Sequence, residues 1–167
     1  MSSVAAFHHI EVSKLAQLKE MAQIQPTIEK KLFSKKFIDP YSDFFYDNAL
    51  EFADYNWSGY AITFLVEFLL DKKEVDLGNG AYHDLAKFLS DSRECLILIF
   101  SKADKDKFLP HLDRSKYTAE ELMEFNAEFA DIPDIEFANA QLDGIDALRY
   151  SLETLNDDNL VVIITVG

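Results

Sequence analysis

The stretch LVVIITV, residues 160–166, decides how the chain folds. Apolar and mostly β-branched, it suits a strand covered on both faces, and such a strand belongs inside a sheet. Removing it is therefore expected to unfold the domain. A second stretch of this kind, ECLILIF at 94–100, is expected to be another interior strand of the same sheet. A third, VAAFHHIEV at 4–12, places Val4, Ala6, His8, Ile10 and Val12 on one face and Phe7 on the other.

Between these strands the spacing is helical. Ser13 is expected to cap a helix through Leu15, Leu18, Met21 and Ala22 that reaches about Gln25, where Pro26 ends it or begins another turn. Residues 27–36 read as a short basic helix, and IDPYSD around Pro40 as a loop. Helical spacing returns from Phe44 to Phe52. A more apolar helix follows from Ser58 to Leu70, with Ile62, Leu65, Val66 and Leu69 as its buried stripe. GNG at 78–80 is a turn, AYHDLAKFLSD a short amphipathic helix, and Ser101 a candidate cap. Thr118 and Glu121 have the spacing of a capping box. DIPDIEF is a loop or short extended segment. A long helix over 138–156, through Leu142, Ile145, Leu148, Leu152 and Leu155, then leads to NDDN, which stops it. The expected fold class is α+β: one domain over 1–167, with a small mixed or antiparallel sheet of N-terminal, central and C-terminal strands covered by several helices. With 49% hydrophobic residues the chain can fill a sizeable core.

Charge is distributed unevenly. The net value is −14, yet residues 1–36 hold six lysines against three glutamates, so the remainder carries −17. Residues 39–71 hold seven acids and no base; residues 117–158 hold twelve acids and a single base, Arg149. Such a field repels nucleic acid and anionic lipid and speeds encounter with a basic partner. Solubility alone is the plainer account of acidity. The near absence of compensating bases argues for more. MSSVAAFHHIEV lacks the charged leader and apolar core of a signal peptide, and YAITFLVEFLL, interrupted by Glu67, is too short to span a bilayer. A cytoplasmic protein is expected.

Catalytic patterns are scarce. GNG lacks the third glycine of a dinucleotide fingerprint, and no Gly-Lys-Ser or Gly-Lys-Thr occurs. His8 and His9 are adjacent on a strand and point to opposite faces. DKDKF at 104–108 imitates the start of a calcium loop without its glycine or closing glutamate. Neither metal nor cofactor is expected. Cys95, the single cysteine, precedes LILIF and reads as a buried, inaccessible and inert thiol in an apolar strand. The one catalytic option is a carboxylate pair, Asp43 with Asp47 or Asp47 with Glu51, four residues apart on a helix face. Tyr46, Tyr55 and Trp57 could then line a sugar or base pocket. More commonly, rings at this spacing are core and acids are solvated.

The stretches HHIEVSKLAQL, ADYNWSGYAITFLVEFLL, DIPDIEF and NLVVIITVG, in that order, give the chain a familiar outline. It resembles the YfbM-like family of small bacterial α+β proteins over most of its length. It departs from that pattern at Tyr55-Asn56, where a basic residue usually precedes the tryptophan, and at Ile132, where a tyrosine often precedes the proline. The resemblance carries over no catalytic residue. Some members are similar to immunity proteins encoded beside bacterial toxins, and that is the function it implies here.

Charge and resemblance together lead to a cytoplasmic immunity protein, not an enzyme, that neutralises a basic toxin domain by occluding its cleft. The expected contact residues are Asp43, Tyr46, Asp47, Glu51, Asp54, Tyr55, Glu120, Glu124, Asp131 and Asp134. Phe44, Phe45, Phe52 and Trp57 are expected in the core. The alternatives are an enzyme or small-ligand protein with a carboxylate/aromatic pocket, and an acidic DNA mimic.

Overall fold

The computed structural model describes residues 3–31 and 34–167. Among them are six strands: β1 (Ala5–Glu11), β2 (Thr27–Lys31), β3 (Ser34–Ile38), β4 (Leu50–Ala53), β5 (Leu96–Ser101) and β6 (Leu160–Val166). The α-helices are α1 (Leu15–Ala22), α2 (Pro40–Asn48), α3 (Gly59–Lys73), α4 (His83–Arg93), α5 (Lys105–Phe108), α6 (Ala119–Ala130) and α7 (Ile135–Glu153). The main sheet runs β4-β1-β6-β5, and every neighbouring pair is antiparallel. The architecture is thus the α+β class read from the sequence.

Alternation along β6 builds two cores. Val162, Ile164 and Val166 face one way, with Phe7, Leu98 and Phe100, and meet α3, α6 and α7. Val161 and Ile163 face the other way, with Ile10, Ile97 and Ile99, and meet α1, α2 and α4. The sheet is therefore the middle layer of three. Its apolar content follows from having helices on both faces, which is unusual for an antiparallel sheet. β6 is interior, as expected, but β5 is not: it pairs with β6 alone and forms an edge. Helices cover both its faces, so a run that reads as interior can belong to an edge strand.

Several local expectations are corrected. The segment read as a basic helix over 27–36 is the β2–β3 hairpin, a separate two-stranded sheet, with Leu32 and Phe33 outside the described residues. Ser13 does not cap α1: its hydroxyl donates to Glu11 Oε2, and a 3-10 turn over Val12–Lys14 precedes the helix. Asp39 caps α2, its Oδ1 accepting from the Tyr41 amide, so IDPYSD opens a helix. The helix expected to reach Phe52 ends at Asn48, and β4 follows. Asp47 and Glu51 consequently share no helix face. α7 begins at Ile135, within DIPDIEF, because Asp134 accepts from the Glu136 and Phe137 amides. Thr118 caps α6 as expected, but the Glu121 carboxylate pairs with Lys73 at 2.5 Å. Cys95 lies just before β5 and is only half-buried, although burial still pushes its thiol pKa up. No helix among the described residues is long and apolar enough to cross a membrane.

Candidate partner-binding surface

The chain leaves the sheet edge at Ala53 and enters α3 at its cap, Ser58, through Asp54–Trp57. Tyr55 fixes this connection. Its side chain is 9% exposed, and its hydroxyl donates to the Ala140 carbonyl of α7 at 2.6 Å. Burial, reinforced by the charge of Asp143, pushes its phenol pKa up. Tyr55 was expected at a contact surface. It serves instead as the internal post on which that surface is mounted.

Trp57 was expected in the core, and it is 43% exposed. The indole is nonetheless held in place: its Nε1 donates to Asp143 Oδ2 at 2.8 Å. The other Asp143 oxygen accepts from Arg114 at 2.6 Å, and Arg114 also donates to Asp146 at 2.7 Å. Asp143, Asp146, Ala147 and Tyr150 lie three or four residues apart on α7, so they form one stripe. With Asp54, Tyr55, Asn56 and Trp57 they line a groove of about 410 Å³. On the far side of Trp57, a smaller groove of about 190 Å³ is lined by Asp134, Glu136, Phe137 and Ala140. One exposed ring therefore divides two acid-lined depressions.

This geometry suits cations. Carboxylates accept charge-assisted hydrogen bonds, and the faces of Trp57 and Tyr150 attract ammonium or guanidinium groups. It suits acid–base catalysis poorly, because Asp143 and Asp146 are both held by Arg114. Among the described residues, no three His, Cys, Asp or Glu side chains converge to hold a metal ion. His8 and His9 do point to opposite faces: His8 packs against Phe45 beneath α2, while His9 stacks on Phe52 and meets Thr154 at 2.8 Å.

The ten expected contact residues do not form one surface. Asp54, Tyr55 and Asp134 gather around Trp57. Asp43, Tyr46 and Asp47 are exposed on α2, which covers the opposite face of the sheet from α7. Glu51 is exposed on the β4 edge strand. Glu120 and Glu124 are exposed on α6, where Glu124 lines a cleft with Lys72, Lys73 and Phe125. Asp131 closes α6 with a left-handed backbone, φ 57°. Of the rings expected in the core, Phe45 is buried, while Phe44 and Phe52 are half-buried. The sequence reading did not select Arg114, Asp143, Asp146 or Tyr150. The last three carried a visible signal, polar and aromatic residues at helical spacing opposite the Leu142–Ile145–Leu148–Leu152 stripe. Comparison with protein-family models, curated proteins and solved structures returns no match.

Proposed function

We propose that this chain is a cytoplasmic binding protein that captures a basic protein partner, in the manner of a bacterial immunity protein, through the surface around Trp57. The observation carrying the proposal is a half-exposed tryptophan, hydrogen-bonded at its edge and carried on a segment that a buried tyrosine anchors, shared by two acid-lined grooves. An exposed ring already fixed in position loses little freedom on binding, the property that makes tryptophan a frequent hot spot. The surrounding negative field accelerates capture of a cationic domain. The YfbM-like resemblance points the same way and belongs to the proposal.

The test is co-expression with the protein encoded by the adjoining gene, scored by complex formation and relief of growth arrest. Trp57→Ala is expected to weaken the complex about 30-fold, the factor for a loss of about 2 kcal/mol. Asp54→Lys is expected to weaken it through charge. A complex unaffected by both substitutions would overturn the proposed surface. The absence of any complex, together with Trp57 fluorescence unmoved by arginine-rich peptides, would overturn the function. A second reading, a small cationic ligand, is favoured by the concavity of the larger groove. Saturable binding of a small amine with no protein partner would select it.

A further inference from the structure

The β2–β3 hairpin is at odds with the rest of the molecule. Ile28 and Phe37 sit directly opposite each other in its register and are 60% and 64% exposed. The pair one step along the same face is Lys30 opposite Lys35, both exposed. Facing like charges destabilise a hairpin, and two strands with no further sheet neighbour are marginal in water. Hence an apolar patch and a concentrated positive charge are displayed on the least self-sufficient element of the fold. Residues 27–38 hold four lysines against Glu29, whereas residues 37–167 carry −17.

The chemistry of the hairpin defines what would cover it. The occupant must offer carboxylates to the lysines and exposed rings to Ile28 and Phe37. A second hairpin fails, because lysines would meet lysines. An anionic lipid surface would attract the hairpin but repel the strongly acidic remainder of the chain. The grooves around Trp57 offer both features, with Asp54, Asp134 and Glu136 beside Trp57 and Tyr150. We propose that the β2–β3 hairpin of one molecule docks on the acid-lined grooves around Trp57 of a second copy, giving a reversible homodimer that masks the partner-binding surface. A reciprocal exchange makes two equivalent contacts about a two-fold axis and closes the assembly. The hairpin is then a built-in competitor, displaced when a more strongly basic partner arrives. This inference shares its groove with the proposed function, but its test needs no partner.

Trp57 is the only tryptophan, so its emission reports on the groove directly. Sedimentation of the wild-type protein is expected to show a dimer at low salt that dissociates at high salt. Dilution should shift Trp57 emission to the red as the hairpin leaves. Lys30→Glu with Lys35→Glu, and separately Ile28→Ser with Phe37→Ser, should each raise the dimer dissociation constant at least about tenfold, equivalent to about 1.4 kcal/mol. Circular dichroism should be unchanged, because none of these residues belongs to either core. A wild-type protein monomeric at both salt concentrations overturns the proposal. So does a dimer that survives both double substitutions, or one that forms without moving Trp57 emission. Hairpin-dependent binding to phosphatidylserine vesicles without self-association would assign the hairpin to a membrane instead. The lysine variant should also bind an arginine-rich peptide at least as tightly as wild type. A peptide that binds neither the wild type nor the lysine variant, while the wild type dimerises through the hairpin, would count against the proposed function and leave the dimer standing.

Discussion

Gly59 opens α3 against the backbone that leads into β1. Its amide donates to the Ser3 carbonyl, and a Cβ there would stand 2.9 Å from the Val4 carbonyl carbon and 2.8 Å from Val166 Cγ1. Backbone cannot move aside as a flexible side chain can. Gly59→Ala is therefore expected to cost about 1–3 kcal/mol, which a thermal melt would register at roughly 2–4 °C per kcal/mol. His8 gives a second prediction at this scale. Its Nδ1 is buried without a hydrogen-bond partner, and burial lowers its pKa below 6.5 more than nearby Glu51 raises it. The unfolded chain thus takes up a proton at higher pH than the folded one. Stability is expected to fall as pH drops through and below about 6.5, with a slope of at most about 1.4 kcal/mol per pH unit for this group. His9 is shifted the same way by burial. His8→Phe should accordingly reduce the pH dependence of the melting temperature without abolishing it. An unchanged slope would place the effect elsewhere. The residue scale is also where sequence reading was weakest. Tyr55 and Trp57 exchanged their expected places, because a ring's burial depends on which neighbour's carbonyl or carboxylate its polar atom finds.

At the scale of elements, legibility followed burial. β1, β5 and β6 were readable because packing against two cores imposes apolar composition or alternation, and α3 because its apolar stripe is buried in one of them. β4 was missed because Leu50 and Glu51 are exposed and only Phe52 and Ala53 are half-buried. A bulge between Phe7 and His8 also leaves Phe52 outside the register with β1. The β2–β3 hairpin was missed because its described side chains are exposed, apart from the half-buried Ile38, so no core imposes a pattern on them. The α6–α7 interface carries the prediction at this scale. Asn126 donates to Gln141 Oε1 at 2.6 Å with both residues fully buried, yet Asn126 Oδ1 and Gln141 Nε2 have no partners. Gln141→Leu alone strands Asn126 and should cost about 1–3 kcal/mol. Adding Asn126→Leu should recover most of that loss or exceed wild type, since an incompletely satisfied buried pair is replaced by apolar packing. Denaturant melts of the two single variants and the double would measure the coupling.

For the whole molecule, the distribution of acids over opposite faces separates rate from affinity. Asp47→Lys with Glu51→Lys lies away from Trp57. The double variant should slow association with a basic partner at low salt, converge with wild type at high salt, and leave dissociation unchanged. Trp57→Ala should do the reverse, speeding dissociation with little effect on capture. Stopped-flow kinetics on the complex would resolve the two; a faster dissociation in the Asp47/Glu51 variant would place the contact on α2. The same excess charge strains the isolated fold. A net −14 repels itself, so the melting temperature should rise with added salt, whereas a fold resting on its surface ion pairs would lose stability.

β6 lies between β1 and β5 although it follows both in the chain. During synthesis, β1 leaves the ribosome long before the strand that fills its second edge exists. Until then the inward-facing rows of β1 and β5 have helices to meet but no shared sheet, and each presents an open edge to other nascent chains. Closure waits for a contact between the two most distant strands of the sequence, the kind of topology that folds slowly. The strand that decides the architecture therefore also sets the interval of greatest vulnerability to misassembly, and a chaperone bound to β1 during translation would act where the fold is least protected.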